Sequence, residues 1–201
     1  MEMKALEEGA EAVVYETALA AIPALMKRRI QKRYRIEAMD TKIRTQRSKN
    51  EARIIAVASK AGINAPKLIL FDKYDVYMTR VKGKKLTDAI RSGEAPGALF
   101  GKIGEMLGRL HDSGIAHGDY TPANIIVGKD GPYVIDFGLS ELTYSVEEDA
   151  LDVLLMKRSI AKDSYLSFIQ GYVISNPNAA EVLKRLAVVE RRGRYQTRTL
   201  S

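Results

Sequence analysis

The sequence contains no cysteine. That excludes disulfides, thiolate metal sites and a cysteine nucleophile, and it suits a reducing compartment. Long apolar runs are missing too, since none approaches the ~20 residues of a membrane-spanning helix. The opening Met1-Glu2-Met3-Lys4-Ala5 lacks the apolar stretch of a signal peptide. The expectation is a soluble cytoplasmic protein with no membrane partner. The tyrosines are scattered and form no stacking platform for bases.

What is present is ordinary globular composition. At 201 residues, 46% hydrophobic and 28% charged, the chain fits one domain, or one domain built as two lobes. The 32 Lys and Arg residues exceed the 25 Asp and Glu residues by seven. The excess is clustered. Lys27, Arg28, Arg29, Lys32, Arg33 and Arg35 crowd one stretch, and Lys42, Arg44, Arg47, Lys49 and Arg53 follow. Arg191, Arg192, Arg194 and Arg198 form a basic tail. Clustered positive charge attracts polyanions such as RNA, or an acidic protein. From charge alone, a set of solvated faces is the favoured reading.

The pattern along the chain changes style once. Glu11–Leu19 and Pro23–Ile30 read as strands, with Gly9 at a turn ahead of them. Thr45–Ala61 reads as a helix stopped by Gly62. Leu68–Phe71 and Val76–Val81 read as a hairpin. After Gly83 the chain turns helical: Thr87 is expected to cap a short helix, and Leu99, Ile103, Met106, Leu107 and Leu110 share one face of a longer one. Two short strands surround Lys129-Asp130-Gly131-Pro132, and helices are expected over 147–159, 163–173 and 178–191. The fold class expected is α+β and bilobal. A sheet-rich N-lobe (about 1–82) joins a reduced helical C-lobe (about 83–190), with a basic tail over 191–201.

The strongest chemical signal is His117-Gly118-Asp119-Tyr120-Thr121-Pro122-Ala123-Asn124, which has the kinase catalytic-loop spacing H-x-D-x-x-x-x-N. Twelve positions after Asn124 comes Asp136-Phe137-Gly138. Phosphoryl transfer needs hard oxygen ligands for Mg²⁺ and cations to offset phosphate charge. Asn124 and Asp136 are the candidate metal ligands, and Asp119 is the candidate catalytic carboxylate. Lys27, at the end of Ala24-Leu25-Met26, is the candidate cation for the ATP phosphates. A buried strand lysine needs a carboxylate, and Glu51 on the following helix is the natural partner.

Taken together the motifs resemble a family. Gly9-Ala10-Glu11-Ala12 looks like an abbreviated phosphate loop. Lys27 through Arg35, then Met39-Asp40, resembles a basic strand-to-helix signature. The catalytic loop, Ile135 through Ser140, Glu148 through Asp152 and Arg192-Gly193-Arg194 complete the set. The chain is similar to the small atypical kinase/ATPase subunit of the KEOPS (EKC) complex. The resemblance implies a Ser/Thr protein kinase with ATP hydrolase activity, using ATP and Mg²⁺. It implies binding to the threonylcarbamoyl-transferase subunit and other KEOPS subunits, in support of threonylcarbamoyl-adenosine formation in tRNA. It also implies tRNA contact through the basic clusters. The phosphate loop Gly9, Ala10, Glu11 and Ala12 would join Lys27 and Glu51 at the nucleotide. Met78 through Gly83 resembles the hinge, which adds Met78 and Arg80; Thr79 is given no side-chain role.

Several features depart from an ordinary protein kinase. Only Gly9 serves the phosphate loop. Gly118 stands where an arginine would receive an activation-loop phosphate. Thr121 replaces the usual lysine, and no A-P-E motif follows Asp136. These departures leave room for ATP hydrolysis. The rival readings are a small-molecule phosphotransferase of the aminoglycoside or choline kinase type, and a non-catalytic nucleotide-binding scaffold. His111 and His117 are expected to be structural.

Overall fold

The structure, a computed structural model, describes residues 5–19 and 22–198, with side chains up to residue 192. Its first part is an antiparallel sheet carrying one long helix. The elements are β1 (Ala5–Glu8), β2 (Ala12–Leu19), β3 (Ile22–Arg29), α1 (Glu37–Lys60), β4 (Leu68–Phe71) and β5 (Asp75–Thr79), with sheet order β1-β2-β3-β5-β4. β2 and β3 pair from Ala12↔Arg29 to Leu19↔Ile22, and β3 pairs with β5 from Ala24↔Thr79 to Arg28↔Asp75. Strand side chains alternate between faces. Ala24 and Met26 are thus buried on one face of β3, while Leu25, Lys27 and Arg29 share the other.

α1 begins eight residues earlier than the apolar spacing indicates. Half of the residues in its first turns, Glu37 to Arg44, are charged, and the few apolar residues there are too sparse to mark a helix. Glu37 and Asp40 sit in the first turn, where carboxylates are favoured by the exposed N–H groups. Asp40 also accepts the Lys32 N–H and pairs with Arg44 at 2.6 Å. Farther along, Ala52, Ile54, Ile55 and Ala58 bury the face that packs on the sheet. β1 was not expected from the sequence, and every residue of it is exposed.

The second part contains β6 (Lys84–Lys85), α2 (Leu86–Arg91), α3 (Gly97–Asp112), β7 (Ile115–Ala116), a 3-10 turn (Pro122–Asn124), β8 (Ile125–Gly128), β9 (Gly131–Val134), β10 (Glu141–Leu142), α4 (Val146–Ser159), α5 (Lys162–Ser175) and α6 (Ala179–Arg198). β6, β8 and β9 form one small sheet; β10 and β7 form another. Thr87 does not cap α2. Lys85 holds the cap position, and among the described residues no side chain closes that end. The basic stretch 191–198 continues α6, while side chains from 193 and residues 199–201 lie outside the described residues.

α3 and α5 pack almost backbone to backbone. A Cβ added to Gly104 would lie 1.9 Å from the Phe168 carbonyl oxygen, and one on Gly171 would lie 1.9 Å from that of Gly101. Around this contact Ile103, Leu107, Leu110, Phe168 and Tyr172 are fully buried. Tyr120 joins them, and its hydroxyl donates to the Ile103 carbonyl at 2.9 Å, which satisfies the polar tip. No helix among the described residues is long and apolar enough to cross a membrane. The architecture is the expected α+β, kinase-like pair of lobes.

Candidate active site

Between the lobes lies a cavity of about 480 Å³. Gly9, Ala10, Glu11, Ala12, Lys27, Glu51, Met78, Asp119, Asn124 and Asp136 all line it. Arg80 does not. Its guanidinium pairs with Glu16 at the surface, while its neighbours Met78 and Val81 line the cavity. Thr79 Oγ1 accepts the Lys67 N–H at 2.9 Å, which occupies that side chain in bracing the strand end.

At the back of the cavity Lys27 Nζ lies 2.7 Å from Glu51 Oε1 and 2.6 Å from Asp136 Oδ1. The α1 helix thereby joins β3 and the Asp136 loop through one ammonium. Burial pulls the Lys27 pKa down, but the charges of Glu51 and Asp136 outweigh it, so the group is held above its ordinary value. For Asp136 burial pushes upward; the Lys27 charge and hydrogen bonds from Lys27 and the Gly138 N–H outweigh that and hold the carboxyl below its ordinary range. Both groups therefore stay ionised near neutrality. Asp136 has φ of 61°, the only positive value of a non-glycine among the described residues. Aspartate tolerates this left-handed conformation better than most residues, and such strain collects at functional sites.

The catalytic loop is tied at each step. Asn124 Nδ2 donates to Asp119 Oδ2 at 2.8 Å and to the Asp119 carbonyl at 2.9 Å. His117 Nε2 donates to the Ile135 carbonyl at 3.2 Å, while its Nδ1 accepts the Asp119 N–H at 3.3 Å. That assigns the neutral Nε2–H tautomer. Desolvation in this fully enclosed position lowers the His117 pKa, which keeps the ring neutral. Ser140 Oγ donates to the His117 carbonyl at 2.8 Å. Gly118 has φ of 77°, and a Cβ there would lie 2.5 Å from the Leu139 carbonyl oxygen. An arginine cannot take that place without moving the loop.

The phosphate-loop stretch is held by side chains rather than by further glycines. Glu11 pairs with Arg47 of α1, and Arg35 lies 3.7 Å from it; Lys32 donates to the Ala10 carbonyl. The sequence reading missed Arg29 and Arg47 as cavity residues. A period of two from Lys27 along β3 was the available signal for Arg29. Asp152 of α4 stood in the resembling stretch Glu148 through Asp152 but was given no role there; fully buried, it accepts the His117 and Gly118 N–H groups at 2.6 and 2.9 Å. His111 is structural, with Nδ1 2.9 Å from the Tyr172 hydroxyl and Nε2 3.3 Å from Asp152 Oδ2.

A sheet lobe and a helical lobe closed over Lys–Glu and Asp–Asn–Asp groups define the protein-kinase-like class. A solved structure of the Rio2 kinase from Chaetomium thermophilum, described as an ADP/Mg²⁺-phosphoaspartate complex, shares this fold. It has a TM-score of 0.67 at 14% identity over 97% of this chain and 70% of that one. A profile of the RIO domain matches residues 11–159, and the chain belongs to the RIO domain family of atypical kinases. It is 31% identical to the KEOPS complex subunit Bud32 of Pyrococcus abyssi, over 98% of both chains. It is 36% identical to the EKC/KEOPS complex subunit BUD32 of Encephalitozoon cuniculi, over 93% of both. It is also 36% identical to a probable bifunctional tRNA threonylcarbamoyladenosine biosynthesis protein of Methanothermobacter thermautotrophicus, over 94% of this chain. The chain spans 36% of that relative's length.

Proposed function

We propose that this chain binds Mg-ATP between its lobes and acts as an atypical Ser/Thr kinase and ATPase within a KEOPS assembly that modifies tRNA. One observation carries the reading: Lys27 joins Glu51 to Asp136 while Asn124 joins Asp119, all on one cavity. The relatives named as KEOPS subunits, alike over nearly their whole length, support the biological setting.

The donor set suits the nucleotide and its metal. Asp136 and Asn124 offer hard oxygen atoms, the ligands Mg²⁺ prefers. Among the described residues no group of three or more His, Asp or Glu side chains could hold a metal alone. Mg²⁺ at this place would complete its shell with phosphate oxygens and water. Bound Mg-ATP would supply the γ-phosphoryl and neutralise its charge. Lys27 Nζ would bind α/β-phosphate oxygens. Gly9, Ala10, Glu11 and Ala12 would cover the phosphates, with Glu11 tied to Arg47 of α1. Met78 would face the adenine beside the main chain of Arg80. Asp119 would orient the attacking hydroxyl or water and receive its proton, held in place by Asn124 Nδ2.

The unit is one kinase-like domain whose lobes meet near Lys82-Gly83, with 1–82 as N-lobe, 83–190 as C-lobe and 191–201 as tail. Its partners in this reading are the threonylcarbamoyl-transferase subunit, the other KEOPS subunits and, through the basic clusters, tRNA; its place is the cytoplasm.

Calorimetric titration with Mg-ATP, followed by turnover with purified partner subunits, tests the reading. Binding that needs Mg²⁺, and turnover lost in Asp136→Ala, are expected. Turnover by Asp136→Ala at the wild-type rate would end it.

A further inference from the structure

Glu51 has two cationic partners. Lys27 Nζ meets Oε1 at 2.7 Å, and Arg29 Nη2 meets Oε2 at 2.6 Å. Both cations come from β3 two residues apart, so the pleat places them on one face. All three side chains are at most 10% exposed, so none can turn to solvent for compensation. Lys27 has a second engagement, with Asp136 Oδ1 at 2.6 Å. Arg29 has spare capacity instead. Its buried Nε has no hydrogen-bond partner among the described residues.

A buried carboxylate that loses its cation is strongly destabilising. With Lys27 as sole partner, drawing Nζ toward a polyphosphate would strand Glu51. Arg29 removes that conflict. Its unused Nε adjoins Nη2, and the two N–H groups form the fork that matches both oxygens of a carboxylate. The guanidinium also adjoins the turn after Asp136, since a Cβ on Gly138 would lie 3.7 Å from Arg29 Nη2.

We infer that Arg29 is the standing counter-ion of Glu51, a positioning residue that holds α1 on β3 and frees Lys27 Nζ for the phosphates of a bound nucleotide. The inference rests on the nucleotide reading above. It assigns the docking of α1 to a fixed side chain. Gly118 stands where an arginine would receive an activation-loop phosphate, so this docking needs no such phosphate.

The test uses Lys27→Met, Arg29→Met, Glu51→Gln and their combinations in the full chain. Thermal unfolding without nucleotide is the first readout. Each Met variant leaves Glu51 one cation and is expected to melt within a few degrees of wild type. Lys27→Met with Arg29→Met strands Glu51 and is expected to fall on the order of 10 °C further than the sum of the single shifts. Adding Glu51→Gln should recover most of that loss, including the case in which the double variant does not fold.

The second readout is Mg-ATP affinity. Arg29→Met is expected to weaken it about 10-fold in the Glu51 chain and less than about 2-fold in the Glu51→Gln chain. Arg29→Lys should restore part of the loss. Additive melting shifts, no recovery by Glu51→Gln, or equal affinity losses in both backgrounds would overturn the assignment. A wild-type chain that binds no Mg-ATP overturns the nucleotide reading instead, and the melting cycle still decides whether Arg29 holds Glu51.

Discussion

Asp152 on α4 accepts the main-chain N–H of His117 at 2.6 Å across 35 residues of chain. Its other oxygen takes the Gly118 N–H at 2.9 Å. One buried carboxylate thus sets the backbone that presents Asp119. Removing it leaves the buried His117 N–H, the Gly118 N–H and the buried His111 ring without that partner. Asp152→Ala is expected to lose about 3 kcal/mol or more of stability in urea unfolding. Where the variant is still folded, ATP turnover should fall ~100-fold, since small displacements of a catalytic group cost that much. Turnover within about 2-fold of wild type would show that the loop holds its shape without this anchor.

His117 gives a pH dependence with a definite sign. Burial depresses its pKa, so the folded chain binds a proton less readily than the unfolded chain. The stability from the neutral ring is therefore present above about pH 6.5, the ordinary imidazole value, and is lost as pH falls through the lower folded value. Protonation at Nδ1 would also break the bond from the Asp119 N–H. Unfolding free energy measured from pH 8 to pH 5 should fall below about 6.5 in wild type. His117→Phe should show a smaller slope over the same range.

Asp136 combines a chemical and a conformational demand. Asparagine tolerates φ of 61° and keeps a side-chain acceptor for the Gly138 N–H. Asp136→Asn is therefore expected to melt close to wild type while losing Mg²⁺-dependent nucleotide binding. Asp136→Ala should lose about 1–2 kcal/mol in addition, the strain of a left-handed residue without a local hydrogen bond. Differential scanning calorimetry with and without Mg-ATP separates the two effects.

Two glycines one turn apart on α3 should respond oppositely. A Cβ on Gly104 meets backbone of α5 at 1.9 Å, whereas one on Gly101 has its nearest neighbour at 3.7 Å. Gly104→Ala must push the helices apart and should cost about 2–3 kcal/mol or more. Gly101→Ala fits and should gain up to about 1 kcal/mol from helix propensity. Urea unfolding of the two variants side by side gives the comparison.

The elements that were legible were those with a strong local pattern. The amphipathic stripe from Leu99 to Leu110 and the apolar-to-basic run from Pro23 to Ile30 depend on residues a few positions apart. The first turns of α1 were not legible, because the apolar residues from Glu37 onward are too sparse to mark a helix and the segment is settled by Asp40 contacts with Lys32 and Arg44. β1 and the two-residue strands β6, β7 and β10 were illegible for a related reason. β6, β7 and β10 exist only as partners to distant strands, such as Ala116 opposite Glu141, and β1 is only the edge partner of β2 across a short turn.

By itself the sequence determined the order and spacing of Asp119, Asn124 and Asp136, because the two motifs that carry them are short segments whose pattern lies within a few residues. It also determined two styles of chain on either side of Gly83. Only the tertiary structure decided that Arg29 shares Glu51 with Lys27, that Asp152 organises the catalytic loop, and that Arg80 turns toward Glu16. Those contacts join residues 22 to 64 positions apart. Which partner a buried charge finds across such a distance depends on how the sheets and helices pack, and no local pattern encodes that.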